Sequence, residues 1–113
     1  MQQRAVFSGY RAMWLFTLFD LPVLTRQARR EYARFRKALV KDGFCMLQYS
    51  VYARYCPDEE AAEAHKQRVK GHLPPDGQVR LLMVTERQFG KQEVYCGHKR
   101  GKSEKAPLQL MLF

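Results

Sequence analysis

Between Thr25 and Lys41 the chain carries seven basic side chains, Arg26, Arg29, Arg30, Arg34, Arg36, Lys37 and Lys41, against one acidic one, Glu31. Five of the seven are arginine, whose planar guanidinium takes two phosphate oxygens at once. Arg26, Arg30, Arg34, Lys37 and Lys41 recur at steps of four, four, three and four. On a helix they make one stripe, with Arg29 and Arg36 on its flank. A stripe of this kind tracks the backbone of a nucleic acid. A merely solvated helix face mixes signs for i,i+4 pairing, and this one hardly does.

The second chemical group is Asp20, in Phe19-Asp20-Leu21-Pro22. An aspartate ahead of a proline-containing loop is ordinarily a turn starter. One carboxylate does not make a magnesium site, because Mg²⁺ wants six oxygens in octahedral geometry and usually keeps several waters. Two such carboxylates meeting at a two-fold axis would hold one hydrated ion, so a catalytic or metal-binding Asp20 requires a dimer. Cys96-Gly97-His98 lacks the second pair of ligands at fixed spacing that makes a zinc motif. His65 is expected on a helix surface. The sequence contains neither a glycine-rich phosphate loop nor a nucleophile elbow.

The whole chain repeats the charge of that helix. It has 113 residues, with 20 Lys+Arg against 11 Asp+Glu, a formal net charge of +9 and a pI near 9.8. A domain this basic is drawn to a polyanion. The length is that of one domain, and a dimer interface would add to a core this small. Cys45, Cys56 and Cys96 do not form a disulfide framework. No signal peptide is apparent, and the apolar run Met13–Phe19 is too short to span a membrane. A reducing, cytoplasmic setting is the expectation.

Six elements and a short extra strand position the stripe and the carboxylate. Met13 to Phe19 is nearly all apolar and aromatic and reads as a buried central strand, closed at Asp20-Leu21-Pro22. Ala28, Tyr32, Phe35 and Leu39 put an apolar face on the helix from Thr25 to Lys41, and Asp42-Gly43 ends it. Phe44 to Tyr55 alternates like a strand but is long for one, which predicts two short strands or a kink near Gln48–Ser50. Pro57-Asp58-Glu59-Glu60 opens a second helix whose acidic first turn and later Lys66, Arg68 and Lys70 suit its dipole. Ala62, Val69 and Leu73 form its apolar side. Pro74-Pro75-Asp76-Gly77 is a loop, Val79–Thr85 a fourth strand, and Glu93–Cys96 a weaker fifth. The order β, α, β, β, α, β with an extra strand is that of an α+β, ferredoxin-like sandwich, with both helices on one face of an antiparallel sheet. Three segments result: an N-terminal extension over 1–12, the domain over 13–97, and over 98–113 a basic linker with an apolar tail. Leu108, Leu110, Met111, Leu112 and Phe113 in that tail make a sticky terminus, read as a partner-binding segment.

The strand ending in Phe19-Asp20-Leu21-Pro22, the Arg-rich helix, the exit Asp42-Gly43-Phe44 and above all Leu47-Gln48-Tyr49-Ser50-Val51-Tyr52 together resemble the CRISPR-associated protein 2 family. The likeness runs from about Met13 to Tyr95. The extended N-terminus and apolar C-terminus are similar to members from type II systems.

The resemblance implies a ferredoxin-like homodimer in which the last strand pairs with the partner subunit. It implies a partnership with the CRISPR-associated integrase during spacer acquisition. There the dimer sits between two integrase dimers and holds the duplex body of captured DNA. It also implies a nuclease alternative, since many members are described as Mg²⁺-dependent nucleases acting on RNA or DNA, with the metal between two copies of the aspartate matching Asp20. Ser50 matches the serine of the family's strand motif. The leading expectation is thus a DNA-holding scaffold, with the Asp20 nuclease as the alternative. An RNA-binding ferredoxin-like module ranks third, because such modules display aromatic residues on a sheet face and Val79–Thr85 is mostly aliphatic.

Overall fold

The computed structural model describes residues 11–107. The tail residues Leu108, Leu110, Met111, Leu112 and Phe113 therefore lie outside the described residues, as does most of the N-terminal extension. The elements run β1 (Met13–Asp20), α1 (Arg26–Lys41), β2 (Cys45–Gln48), β3 (Val51–Cys56), α2 (Glu59–Lys70), β4 (Gln78–Thr85), α3 (Glu86–Gly90), β5 (Tyr95–Cys96) and β6 (Lys99–Arg100).

β1 lies inside a four-stranded sheet of order β2-β3-β1-β4, antiparallel to both β3 and β4. With α1 and α2 this is the expected βαββαβ arrangement. The pleat sends alternate β1 side chains to opposite faces. Leu15 and Phe19 meet Phe35 and Leu39 of α1, Ala62 and Val69 of α2, and Phe44, Tyr52 and Cys56 in the main core. Trp14 points the other way and packs with Ala12, Ala53, Tyr55 and Phe89, where Phe16, Leu47, Val84 and Ala106 join from the margin. Thr17 is fully buried, and its hydroxyl makes no hydrogen bond among the described residues.

α1 begins where Thr25 Oγ1 accepts from Ala28 N (3.0 Å), the N-cap bond that satisfies one of the first-turn amides. It ends as the sequence predicts. Gly43 adopts φ +93, Gly43 N donates to Val40 O, and Phe44 N donates to Leu39 O, both at 3.0 Å. This pair of bonds is the Schellman exit, with buried Phe44 against Leu39 as its apolar contact. An added Cβ at Gly43 would sit 3.0 Å from Arg54 Nε.

The long segment Phe44–Tyr55 resolves into β2 and β3, joined at Tyr49-Ser50 with a shift in register beside Leu47. Ser50 takes the turn's left-handed position at φ 64.

Three details differ from the sequence reading. Thr85-Glu86-Arg87-Gln88 forms a capping box that starts the short helix α3, where only a weak strand was expected to follow. The fifth strand does not extend the main sheet. β5 pairs with β6 in a separate hairpin that runs across the 97/98 boundary of the expected linker. Leu73 lies beyond the end of α2 and is exposed, so Ala62 and Val69 alone make the buried side of that helix.

Candidate nucleic-acid interface

α1 turns its apolar side to the sheet, which leaves all seven basic side chains exposed. Two of them are engaged by the protein itself. Arg34 Nε donates to Glu31 Oε1 (2.8 Å), and its Nη2 donates to the carbonyl of His72 (3.1 Å), tying α1 to the end of α2. Arg29 Nη1 donates to the carbonyl of Val23 (3.1 Å), fastening the loop that precedes the helix. Arg26, Arg30, Arg36, Lys37 and Lys41 make no ion pair or side-chain hydrogen bond among the described residues. Five unneutralised cations on one helix make a surface of positive potential. The first turn of α1 holds no carboxylate, whereas that of α2 holds Glu59 and Glu60. The positive end of the α1 dipole therefore adds to the same field.

Between α1 and α2 runs a groove of about 540 Å³, with Leu39 and Val69 along its apolar part and Lys41, Arg68 and His72 along its polar part. Asp42 organises one side of it. Its carboxylate meets His65 Nδ1 (2.8 Å) and Arg68 Nη1 (3.0 Å), and its carbonyl accepts from Arg54 Nε (2.8 Å). His65 is accordingly not the free surface residue the sequence suggested. Its side chain is 12% exposed and held against the α1 exit. Arg68, 62% exposed, is paired with Asp42, unlike the five open cations of α1.

Asp20 stands at the carboxyl end of β1, opposite Gln78 in the β4 register. It is exposed and makes no ion pair or side-chain hydrogen bond among the described residues. Its backbone is fixed from two sides. Phe19 N donates to Ser50 O (3.0 Å), which brings the Tyr49-Ser50 turn alongside. Gly77, at φ +90, passes so close that a Cβ there would lie 2.6 Å from the Asp20 carbonyl oxygen. The turn is braced in its own right. Ser50 Oγ and the Tyr32 hydroxyl are 2.9 Å apart, and Tyr49 stacks on Tyr32 at 5.6 Å between ring centres while remaining 73% exposed. Burial raises the Tyr32 hydroxyl pKa, with the Ser50 bond opposing it.

No group of three or more His, Cys, Asp and Glu side chains placed to hold a metal occurs among the described residues. Among the described residues Asp20 thus belongs to no ready-made ligand cluster, and one subunit brings its carboxylate alone to this position. That donor set suits a well-hydrated ion shared with a second carboxylate, and it does not suit a closed cage. Cys96 and His98 flank the tip of the β5–β6 hairpin, both exposed.

Cys56 is enclosed in the main core, where burial pushes its thiol pKa from the ordinary 9.0 up to about 11 against the opposing pull of Arg54. A thiol so displaced is a core residue and not a nucleophile. No described helix is long and apolar enough to cross a membrane.

A family model described as CRISPR associated protein Cas2 matches residues 13–92, the stretch that holds α1, Asp20 and the whole main sheet. A "CRISPR-associated endoribonuclease Cas2" of Parvibaculum lavamentivorans is 50% identical over 101 residues, covering 89% of this chain and 100% of that protein. A protein of the same description from Flavobacterium psychrophilum is 41% identical over 104 residues, covering 92% and 90% respectively. One from Paracidovorax avenae is 37% identical over 108 residues, covering 96% and 100%. With its βαββαβ fold, its Arg-rich first helix and its strand-end aspartate, the chain belongs to the CRISPR-associated protein Cas2 family, a family of CRISPR adaptation.

Proposed function

We propose that this protein is a homodimeric, duplex-DNA-holding subunit of the spacer-acquisition machinery, presenting captured DNA to the CRISPR-associated integrase. The observation that carries this reading is the set of five exposed cations on α1, Arg26, Arg30, Arg36, Lys37 and Lys41, which have no ion pair or side-chain hydrogen bond among the described residues. Binding through them is electrostatic and independent of sequence. In duplex binding, each phosphate contact contributes about −0.9 to the slope of log K against log salt. Arg29 and Arg34 hold the loop and the helix pair in place and contribute less. The apolar tail Leu108, Leu110, Met111, Leu112 and Phe113 serves as the segment that docks to the integrase, and the protein works in the cytoplasm, where its polyanion is.

The test is duplex binding by fluorescence anisotropy across a salt series. Replacing Arg26, Arg30 and Lys37 together by alanine should reduce that slope by up to about 2.7 and weaken binding to all duplexes alike. An unchanged slope sinks the assignment. Deleting 107–113 should abolish co-elution with the integrase on a sizing column and leave the dimer intact.

A second reading rests on Asp20 and on the endoribonuclease descriptions of the relatives. In it the protein is an Mg²⁺-dependent endonuclease acting on RNA or duplex DNA, with one ion between the two Asp20 carboxylates of the dimer. The ion would supply charge neutralisation and an activated water. The chain's own part is to hold Asp20 still, through Gly77 on one side and the Ser50 turn on the other. Asp20→Asn separates the two readings. Loss of Mg²⁺-dependent cleavage with duplex binding intact supports the nuclease. Cleavage that is absent, or indifferent to Asp20, leaves the scaffold.

A further inference from the structure

A series of aromatic rings leads from the main core to the surface. Phe19 meets Phe35 at 5.1 Å and Tyr52 at 5.7 Å between ring centres. It also packs edge to face against Tyr32 at 5.7 Å. Tyr32 in turn lies nearly parallel to Tyr49, 5.6 Å away with 18° between the planes. The pile ends there. Tyr49 stays 73% exposed even though it stacks on Tyr32. An exposed aromatic side chain ordinarily exchanges rotamers, but this one is held. Ser50, the next residue, closes the turn at φ 64. Its hydroxyl is 2.9 Å from that of Tyr32, and its carbonyl accepts from Phe19 N (3.0 Å).

The Tyr49 ring lies on the helix side of the sheet, since Tyr32 belongs to α1 and packs against the core of Leu15, Phe19 and Phe35. In the proposed dimer the strand that follows β4 pairs with the partner subunit. β4 is one edge of the sheet, and β2, which leads into the Tyr49 turn, is the other. The chain after β4 also packs on the opposite face, through Phe89 and Ala106 in the cluster around Trp14. Pairing through that strand therefore leaves the Tyr49 ring open. A cation stands beside the pile. Arg36 is one helical turn beyond Tyr32, and side chains at i and i+4 are neighbours about 5–6 Å apart at Cβ. Arg36 is exposed and makes no ion pair among the described residues.

We propose that Tyr49 is a stacking platform for an unpaired base of a single-stranded nucleic acid, with Arg36 taking an adjoining phosphate. An open aromatic face beside a cation is the combination by which proteins hold single strands without reading their sequence. A paired base cannot use it, because both its faces are already stacked within the duplex. The ring is ordered before the strand arrives, so stacking on it costs little further side-chain entropy. The bond from Phe19 N to Ser50 O sets the platform at the end of β1 that carries Asp20. The inference goes beyond the duplex-holding reading, since it gives the protein a second, single-stranded class of ligand and does not depend on the first.

The experiment is fluorescence anisotropy of the full-length protein in EDTA, which keeps every strand uncut. The probes, equal in length, are single-stranded RNA, single-stranded DNA, an abasic DNA strand and duplex DNA. Tyr49→Ala should weaken binding of both base-bearing single strands by about 5- to 150-fold and leave the abasic strand and the duplex unchanged. Tyr49→Phe should bind as wild type does. Tyr49→Leu keeps an apolar side chain over Tyr32 but offers no flat face, so it should lose as much as alanine. Arg36→Ala should weaken base-bearing and abasic single strands alike and lower the slope of log K against log salt by about 0.7. The tighter of RNA and DNA in wild type identifies the strand the platform serves. Full binding by Tyr49→Leu, or a loss in Tyr49→Ala as large on the abasic strand as on the others, makes Tyr49 a brace of the turn and overturns the proposal. Normal binding of every probe by Tyr49→Ala overturns it too. Single-strand binding that depends on Tyr49, in a wild type that holds no duplex, supports the platform and overturns the duplex-holding reading alone.

Discussion

Arg30 and Arg34 are one helical turn apart on the same stripe, and the sequence gives no reason to separate them. The structure does. Arg34 has two acceptors of its own, the Glu31 carboxylate and the His72 carbonyl, while Arg30 has none among the described residues. A guanidinium already satisfied must give up those bonds before it takes a phosphate, so its net gain is small. Arg30→Ala should therefore lower the salt slope of duplex binding by about 0.9, and Arg34→Ala by less than half of that. Arg34→Ala should instead lose up to about 1 kcal/mol of folding stability, the usual worth of an exposed ion pair. Salt-series anisotropy beside thermal melts of both variants decides it, and equal slopes would make Arg34 an ordinary member of the stripe. The same lesson holds at Asp42 and His65. Their identities were legible as a helix exit and a mid-helix histidine. Their meeting was not, because it depends on how two helices separated by a hairpin are laid side by side.

The elements that could be read from the sequence are those whose local chemistry and tertiary role agree. α1 has a cap, an apolar face and a glycine exit, and its bounds fell within a residue of expectation. β2 and β3 were legible as a long alternating run with a weak point, because Tyr49 and Ser50 are not obvious turn residues and only Ser50 at φ 64 closes the hairpin. α3 carries its own signal, Thr85-Glu86-Arg87-Gln88, a capping box hidden at the end of a strand. Its five residues are too few for periodicity to show. One position in β1 breaks the pattern without a local clue. Thr17 is fully buried among apolar neighbours with its hydroxyl unpaired among the described residues. A buried polar group without a partner costs about 1–3 kcal/mol. Thr17→Val keeps the β-branched shape and removes the hydroxyl, so it should stabilise the fold by about 1 kcal/mol. For a domain of this size that corresponds to a rise of about 4–8 °C in melting temperature. A fall on calorimetry would mean that the hydroxyl has a partner in solution.

At the scale of the molecule, four proton-bearing groups, Cys45, Cys56, Tyr32 and Tyr55, are coupled to folding in the same direction, each raised first by burial. Cys56 is raised by burial from 9.0 to about 11. The hydroxyls of Tyr32 and Tyr55 are raised above 10.0, again by burial first. Each group binds its proton more tightly in the folded chain than in the unfolded one. Where that is so, stability falls as pH rises. The Cys56 contribution is fully present below about pH 9 and declines between about pH 9 and 11. Those of the tyrosines are lost from about pH 10 upward. The net charge of +9 acts the other way, since lysines that lose their protons relieve self-repulsion in a crowded basic surface. A single alkaline titration therefore mixes two opposed effects, and a comparison separates them. Cys56→Ala leaves every lysine in place and removes only the thiol. Urea melts of wild type and Cys56→Ala from pH 8 to pH 11 should show wild type ahead at pH 8, because the variant leaves a small cavity. That lead should shrink steadily as the pH passes from 9 to 11, since only wild type must then either ionise a buried thiol or carry its proton. Parallel curves over that interval would mean that Cys56 keeps an ordinary pKa and that the core around it admits water.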